Sequence, residues 1–188
     1  MKHLGRIFSA LTLLVLVAAV WVLLPKFHMP PQNLPDQPDP PPDLTQPLTG
    51  RVDLILVEKA ARRLTLFQNG KTVRVWPIAL GFAPEGDKIR QGDGKTPEGI
   101  FTIDRVNPNS QFTLSLGLDY PQPEDRARAK KGGYDPGGDI MIHGQPNAMP
   151  VGMKGKGDWT AGCIALINSQ MRELWQVAGV GTKVEIRP

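Results

Sequence analysis

Hydrophobic and polar positions divide the chain into three regions of different character. Residues 7–24 form an unbroken apolar run, residues 25–48 are rich in proline with Asp, Gln and Asn, and residues 49–188 contain short segments in which apolar and polar residues alternate. Alternation with a period of two is typical of strands that bury one face. The pattern therefore predicts a mainly β domain over residues 49–188, which is a usual length for a single core.

Alternation predicts six strands in this domain: Arg51–Glu58, Arg63–Gln68, Thr72–Ala79, Ile100–Val106, Asp139–Ile142 and Lys183–Ile186. The pair Asn69-Gly70 lies between the second and third segments and predicts a two-residue β-hairpin, so that the domain opens with an antiparallel sheet. Residues 107–138 carry many turn-forming residues. We expect this stretch to lack regular elements, and its charged part, residues 124–131, to lie on the solvated surface.

One helix is predicted between the strands Asp139–Ile142 and Lys183–Ile186. Apolar positions at i, i+3, i+4 and i+7 run from Ser169 to about Ala178 and define one buried face, made of Met171, Leu174, Trp175 and Ala178. Asn168 stands where a side-chain N-cap is favoured, and Gly179 stands where a helix commonly ends.

The apolar run of residues 7–24 has the properties of a membrane span. As a helix it would be roughly 27 Å long, close to the thickness of the hydrocarbon core of a bilayer. Lys2 and Arg6 precede it, which predicts residues 1–6 as a cytoplasmic tail and residues 7–24 as a single-pass signal-anchor in the cell (inner) membrane. A cleaved signal peptide is the alternative, although no clear Ala-x-Ala site follows before the prolines.

Residues 25–48 are predicted to form a semi-rigid linker. Proline removes amide donors and fixes φ, so this stretch favours an extended polyproline-type conformation over a helix or a sheet. A catalytic domain beyond it would be periplasmic or otherwise extracytoplasmic, held away from the membrane surface.

Charge narrows the range of partners. The whole chain carries a formal net charge of +4 and has a pI near 9.3, but there is no basic stripe with interleaved aromatic residues, so nucleic-acid binding is not predicted. Some of the basic residues also flank the apolar run. Attraction of the exported domain to an acidic polymer remains compatible with this balance.

The candidate chemistry rests on one cysteine and one histidine. Cys163 is the only cysteine of the chain, and His143 is the only histidine of residues 49–188. A thiol needs a nearby base to become a strong nucleophile at neutral pH. Cys163 also follows Gly162, which lets the backbone approach a substrate carbonyl, and the amides around the cysteine can donate to a tetrahedral oxyanion. The pair therefore indicates a thiol acyltransferase, whereas a buried structural cysteine is the plainer alternative.

Other chemistries fit less well. Gly94-Lys95-Thr96 lacks the earlier glycine of a phosphate-binding loop, since that position is Ile89, and the β-rich segment after Pro97 replaces the required helix. A catalytic zinc would need a third ligand besides His143 and Cys163. No Gly-x-Ser-x-Gly is present, and no spacing selects a carboxylate pair. We therefore predict no metal and no cofactor.

Two motifs in order make the domain similar to a known family. His143-Gly144 followed by Thr160-Ala161-Gly162-Cys163-Ile164 resembles the signature of the L,D-transpeptidase catalytic domain, the YkuD family. The segment Gly94-Lys95-Thr96-Pro97-Glu98-Gly99-Ile100-Phe101 resembles a second motif of the same family. The resemblance extends over roughly residues 52–186.

This resemblance implies a mainly β, YkuD-like β-sandwich or mixed sheet with one helix after the catalytic cysteine. It implies Cys163 as the nucleophile and His143 as the base and later the acid. The carbonyl of Gly144 would orient the imidazole, and the Gly162 and Cys163 amides would face the oxyanion.

The resemblance also implies peptidoglycan stem peptides as substrates in cell wall biogenesis. The enzyme would attack the bond between the L-centre of diaminopimelate and D-Ala in a tetrapeptide stem and release D-Ala. The acyl group would pass to an amine of a second stem or to a lipoprotein. Transfer to water, as in an L,D-carboxypeptidase or amidase, is an alternative, and a non-catalytic wall-binding module is another.

One position departs from the family pattern, because Ala165 stands two residues after the cysteine where Arg or Asn is usual. Substrate contacts could instead come from Thr160, Trp159, Lys154, Lys156 and Arg172, although these cations would look the same as ordinary solvated charges. Residues 145–157, rich in glycine, proline and lysine, are compatible with a lid or with a plain mobile connection.

Overall fold

The computed structural model of the protein describes residues 46–150 and 152–188. The predicted tail, membrane span and nearly all of the predicted linker therefore lie outside the described residues. The strands are β1 Leu54–Glu58, β2 Arg63–Gln68, β3 Lys71–Pro77, β4 Gly99–Asn107, β5 Ser115–Leu118, β6 Met141–His143, β7 Ile164–Ala165 and β8 Lys183–Arg187, and the helices are α1 Pro123–Gly132 and α2 Asn168–Val177.

The strands of the described residues form one mixed sheet in the order β3-β2-β1-β8-β4-β5-β6-β7. Two neighbouring pairs are parallel, β1 with β8 and β6 with β7, and the other pairs are antiparallel. The predicted mainly β fold with a mixed sheet is confirmed.

The first hairpin forms at the predicted turn. Asn69 and Gly70 connect β2 to β3 with φ values of 51° and 73°. Positive φ at both central residues belongs to the turn type whose twist matches that of paired strands, and Asn-Gly is the sequence that adopts it at the lowest steric cost.

The core lies against the alternating faces of the strands. Ile55 and Val57 of β1 and Leu64 and Leu66 of β2 are each 0% exposed, and burial of each such side chain contributes about 1.5–3 kcal/mol relative to exposure. Helix α2 adds the buried face Met171, Leu174 and Val177. The helical spacing had predicted Met171 and Leu174 for this face. Trp175 and Ala178, also predicted, are only partly buried against the core, and Val177 was not predicted.

Two elements of residues 107–138 were not predicted. Helix α1 is polar on nearly every side and buries only Ala129, so no apolar stripe announces it. Its signals are local instead: Pro123 in the first turn, acidic residues near its start and basic residues near its end, which complement the helix dipole. Strand β5 is buried at all four positions, which removes the alternation that identifies a strand.

The predicted cap of helix α2 was wrong. The residue in the N-cap position is Ile167, and Asn168 is the first helical residue. Asn168 Oδ1 instead accepts hydrogen bonds from the main-chain amide of Gln145 at 2.7 Å and from the Thr113 hydroxyl at 2.9 Å. Its side chain therefore ties the start of the helix to the segment that follows His143, a contact that the local sequence does not encode.

None of the helices formed by residues 46–150 and 152–188 is long and apolar enough to cross a bilayer. The predicted span of residues 7–24 belongs to the part of the chain that is not described.

Candidate active site

The register between β6 and β7 brings the two candidate catalytic residues to the same face of the sheet. Ile142 pairs with Ile164, and His143 pairs with Ala165. Ile142 and Ile164 are 0% exposed and face the core. Because neighbouring side chains of a strand point to opposite faces, His143 and Cys163 both point away from that core. Cys163 lies just before β7, two residues from Ala165, the residue that pairs with His143.

His143 lies at the end of β6 and is only 4% exposed. Its Nδ1 lies 2.7 Å from the carbonyl oxygen of Gly144. A carbonyl can only accept, so Nδ1 carries the proton of the neutral ring and Nε2 remains an acceptor. The Gly144 amide donates to the carbonyl of Phe112 at 3.0 Å, which fixes the backbone that orients the ring.

Two aromatic rings surround the imidazole. The Phe112 ring centroid lies 4.5 Å from that of His143, and the Trp159 ring meets the imidazole edge-on at 5.7 Å. Burial lowers the pKa of His143 below its ordinary value, although the hydrogen bond to Gly144 acts in the opposite direction. The imidazole is therefore neutral around pH 7, the state in which it can accept a proton.

Cys163 immediately precedes β7 and is partly exposed. Its Sγ lies 3.4 Å from the main-chain oxygen of Asp139, to which the thiol can donate. Burial raises the pKa of the thiol, the Met141 main chain lowers it, the charge of Asp139 raises it, and the charges of Lys88 and Arg105 lower it. The net direction is upward, so both the Cys163 thiol and the His143 imidazole are neutral around pH 7.

Thr160 shapes the turn that presents the cysteine. Its hydroxyl donates to the Cys163 carbonyl at 2.7 Å and accepts from the Gly162 amide at 3.1 Å, and the residue is 4% exposed. The hydroxyl, which the sequence suggested as a substrate contact, is occupied within the turn. The Gly162 amide, suggested as an oxyanion donor, is likewise occupied by Thr160.

Glycine at position 162 is required by close packing. Gly162 has a φ of 139°, and a Cβ at this position would lie 2.7 Å from the carbonyl oxygen of Lys95. The neighbouring Gly81 is equally constrained, since a Cβ there would lie 2.1 Å from the carbonyl oxygen of Gly94. The Gly94-Lys95-Thr96 motif therefore forms a wall against the cysteine turn.

A cavity of about 510 Å³ is lined by three of the suggested substrate contacts, Lys154, Lys156 and Trp159. Its link to the imidazole is the Trp159 ring, which meets His143 edge-on; neither His143 nor Cys163 lines it. Ala165 does line this cavity, so the position that departs from the family pattern leaves space there. The other lining residues are Arg62, Pro77, Ile78, Ala79, Gln145, Gly155, Gly157, Asp158, Leu166 and Ile167.

Positively charged side chains outnumber negatively charged ones along this cavity. The Asp158 carboxylate is engaged by Arg62 Nε at 2.9 Å and by the Leu80 amide at 2.9 Å. Within residues 46–150 and 152–188, neither Lys154 nor Lys156 forms an ion pair or a side-chain hydrogen bond. Two ammonium groups are thus available to an anionic ligand.

Arg172 is not brought to the same cavity. It lines a neighbouring cavity of about 620 Å³, together with Lys154, Met149 and Met153. Lys154 borders both cavities, so the segment around it separates them. Arg172 therefore lies apart from the cavity that Lys156 and Trp159 line.

Phe112 and Gln145 complete the site, although the sequence did not identify them. Gln145 Nε2 donates to the Leu166 carbonyl at 2.7 Å, and its Oε1 accepts from the Gly155 amide at 2.8 Å. Gln145 directly follows the His-Gly motif, which is a signal that could have singled it out. Phe112 lies in a turn-rich stretch and carries no comparable signal.

Candidate metal ligands do not cluster in the described part of the chain. This part contains no group of three or more His, Cys, Asp or Glu side chains that could hold a metal ion.

The sequence model of the L,D-transpeptidase catalytic domain, YkuD, matches residues 52–186. The chain belongs to this family, as its two motifs predicted, and the mixed sheet agrees with the folds of solved relatives.

Two relatives illustrate this membership. The Escherichia coli (strain K12) protein named "Putative L,D-transpeptidase YafK" is 31% identical over 93 residues, which cover 48% of this chain and 31% of YafK. The helical cell shape determining protein Pgp2 from Campylobacter jejuni superposes with a TM-score of 0.56 at 28% identity, covering 73% of this chain and 48% of Pgp2.

A third protein, Bd1075 from Bdellovibrio bacteriovorus, superposes with a TM-score of 0.51 at 24% identity, covering 73% of this chain and 48% of Bd1075. That likeness shows the fold alone. The chain matches about a third of YafK and about half of each of the other two proteins.

Proposed function

We propose that this protein is a cysteine-dependent acyltransferase that acts on peptidoglycan stem peptides. The observation that carries the proposal is the parallel pairing of β6 with β7, which sets His143 and Cys163 on one face away from the core. Family membership supports a peptidoglycan peptide as the substrate. The reaction would be an L,D-transpeptidation in cell wall biogenesis.

The first half of the reaction forms an acyl-enzyme. Nε2 of His143 takes the proton from Cys163 Sγ, and the sulfur attacks the carbonyl carbon of the L-centre of diaminopimelate. The Cys163 amide donates to the oxyanion, because the Gly162 amide is already bonded to Thr160. The tetrahedral intermediate collapses, the C–N bond to D-Ala breaks, and the imidazolium gives its proton to the leaving amine.

The second half passes the acyl group to an acceptor. An amine attacks the thioester carbon, neutral His143 takes a proton from that amine, and the C–S bond breaks. The thiolate then recovers the proton from the imidazolium. An amine of a second stem or of a lipoprotein can serve as the acceptor, and water in the same position would release a free tripeptide.

The cavity lined by Lys154, Lys156 and Trp159 supports a substrate that carries a carboxylate. Lys154 and Lys156 supply the two available positive charges, and Trp159 supplies an apolar wall. Replacing both lysines by glutamine should raise KM for the stem peptide about tenfold and change kcat little. Both lysines are exposed, so the same substitution should also weaken the dependence of KM on salt. Arg172→Gln, in the neighbouring cavity, is the matched control and should change KM less.

Intact mass spectrometry of the detergent-solubilised full chain tests the function. With a tetrapeptide stem we expect an adduct of the tripeptide acyl group on the wild type and none on Cys163→Ala. Adding a second stem should then yield a dimeric product. Tripeptide alone, in the presence of the acceptor, would assign hydrolysis, and no adduct with peptide or with a β-lactam mimic would favour a wall-binding module.

We further propose that residues 7–24 anchor the protein in the cell (inner) membrane, with residues 25–48 as a linker and residues 49–188 in the periplasm. The support is the apolar run between basic residues and prolines. Extraction of membranes with alkaline carbonate should leave the protein in the pellet. A mature protein whose mass lacks the apolar run would assign a cleaved signal peptide instead.

A further inference from the structure

Near the Cys163 thiol lies an ion pair that the catalytic mechanism does not use. Arg105 Nη2 lies 3.2 Å from Asp139 Oδ1, and Nη1 of the same guanidinium lies 2.8 Å from Oδ1 of the adjacent Asp104. Asp139 is the residue whose main-chain oxygen lies 3.4 Å from Cys163 Sγ. One aspartate therefore contacts the thiol through its backbone and the arginine through its side chain.

Three features of the backbone serve this pair. Strand β4 has a register shift between Ile103 and Arg105, where it pairs with β5. A β-bulge of this kind redirects the side chain next to it. Here the redirected side chain is that of Arg105.

The second feature is Gly117 of β5, across which the Arg105 side chain lies. A Cβ at Gly117 would lie 2.5 Å from Arg105 Cγ and 2.6 Å from its Nε. Only glycine therefore lets the guanidinium pass over β5, where Nη1 also donates to the Leu118 carbonyl at 3.2 Å.

The third feature is the conformation of Asp139, which has a φ of 53°. Residues other than glycine seldom adopt this left-handed region, although Asp does so more readily than most. The carboxylate is 89% exposed. The Asp139 side chain therefore contributes little to the core, and packing does not explain why a residue other than glycine occupies this left-handed position.

The titratable and charged groups around the thiol come from four segments, and Asp104 of β4 pairs with one of them, Arg105. His143 is on β6, Asp139 precedes β6, Arg105 is on β4, and Lys88 is in the loop before β4. Lys88 is 2% exposed and is bonded to Asp93 at 2.8 Å, so its charge is fixed and compensated. The Arg105–Asp139 pair is the exposed and adjustable component.

We infer that Arg105 is a positioning residue of the nucleophile. It holds the Asp139 carbonyl that accepts the thiol hydrogen, and its charge offsets the Asp139 carboxylate so that the sulfur can give up its proton. The inference rests on the proposed role of Cys163 as the nucleophile. The opposite effects of Asp139 and Arg105 on the pKa of the thiol agree with it.

Alkylation of the cysteine tests the inference without any substrate. Cys163 is the only cysteine of the full chain, so the rate of reaction with iodoacetamide, measured from pH 6 to 10, reports this thiol alone. At pH 8, Arg105→Gln should react about threefold more slowly than the wild type, because the aspartate charge is left uncompensated. Asp139→Asn should react about threefold faster, and the double variant should react at nearly the wild-type rate.

Two further variants separate charge from folding. Asp139→Gly suits the left-handed backbone and removes the carboxylate, so it should behave as Asp139→Asn does. Arg63→Gln is the matched control, since Arg63 is a half-exposed arginine paired with Glu58 at 2.7 Å, and it should leave the rate unchanged.

Opposite shifts for Arg105→Gln and Asp139→Asn, with the control unmoved, would support the inference. Slower reaction of both variants, or a change no larger than that of Arg63→Gln, would overturn it. This outcome is independent of the acyl adduct: a wild type that forms no adduct with peptide would contradict the proposed function while leaving the alkylation rates to decide the role of Arg105.

Discussion

His143 donates from Nδ1 to the carbonyl oxygen of Gly144, the next residue of the chain, over 2.7 Å. A hydrogen bond to the adjacent backbone replaces the carboxylate that orients the imidazole in many nucleophile–base–acid triads. It sets the tautomer without adding a negative charge beside the thiol. The ring can therefore stay neutral and act as a base.

Removal of the imidazole should slow acylation strongly while leaving the thiol in place. We expect His143→Ala to form the acyl adduct 10²–10⁴-fold more slowly than the wild type, the range typical for a lost general base. Time-resolved intact mass spectrometry with a stem tetrapeptide measures the rate. An adduct that forms within tenfold of the wild-type rate would exclude His143 as the base.

The acid side of the pH profile should report His143. The ring must be neutral to accept a proton, and burial lowers the pKa of His143. Activity should therefore persist as the pH falls below 6.5, the unperturbed value, and decline only at lower pH. Measuring kcat/KM from pH 4.5 to 8 locates this limb.

Trp159→Ala tests whether burial by the indole is what lowers the pKa of His143. The indole covers the imidazole edge-on, so its removal should raise the pKa of His143 and move the acid limb towards higher pH. Phe82→Ala is the control, because Phe82 is 59% exposed and contacts Gly94 rather than the imidazole. If the limb stays in place in Trp159→Ala, burial by this ring is not what lowers the pKa.

Alanine at position 162 should harm both stability and activity. The φ of 139° and the 2.7 Å approach to the Lys95 carbonyl leave no room for a Cβ, so we expect a loss of about 2–4 kcal/mol in the free energy of unfolding. Gly70→Ala is the control: its φ is 73° but nothing lies within 4 Å of the added Cβ, and about 1 kcal/mol should be lost. Urea denaturation compares them, and equal losses would contradict the packing explanation.

Asp93 should stabilise the loop that supports the cysteine turn. Burial alone would raise the pKa of Asp93, but hydrogen bonds from Lys88 and from the main-chain amides of Ile89, Arg90 and Lys95 lower it to about 2. A lowered folded-state pKa gives stability that is present above the unfolded value of 3.8 and is lost as the pH falls towards 2.

Asp93→Asn should therefore lose about 1–2 kcal/mol of stability at pH 7, after allowance for partial solvent screening. The difference from the wild type should shrink between pH 4 and pH 2. Chemical denaturation at several pH values measures it. A difference that stays constant across this range would mean that the charge of Asp93 is not what stabilises the loop.

Features that depend on neighbours in the chain were predictable. The Asn69-Gly70 turn, the strands of the first hairpin and the burial of Met171 and Leu174 in helix α2 follow from local backbone preference and from the spacing of apolar residues. The two candidate catalytic residues were also identifiable from the sequence, because Cys163 is the only cysteine and His143 the only histidine in residues 49–188.

Features that depend on distant segments were not. Strand β5 shows no alternation of apolar and polar residues because both of its faces are buried. Helix α1 has no apolar stripe because it buries only Ala129. The side-chain oxygen of Asn168 accepts hydrogen bonds from Gln145 and Thr113 instead of capping its own helix. Donors from distant segments can satisfy this oxygen as well as the amides of the helix can.

The sequence by itself determined the family, the mainly β fold and the two residues that could carry the chemistry, because these follow from residue identity and short-range periodicity. Only the tertiary structure decided the register of β6 with β7, the enclosure of His143 by Phe112, and the contact of Asp139 with Cys163. Each of these joins segments tens of residues apart. Their geometry is set by packing across the sheet, which no local pattern records.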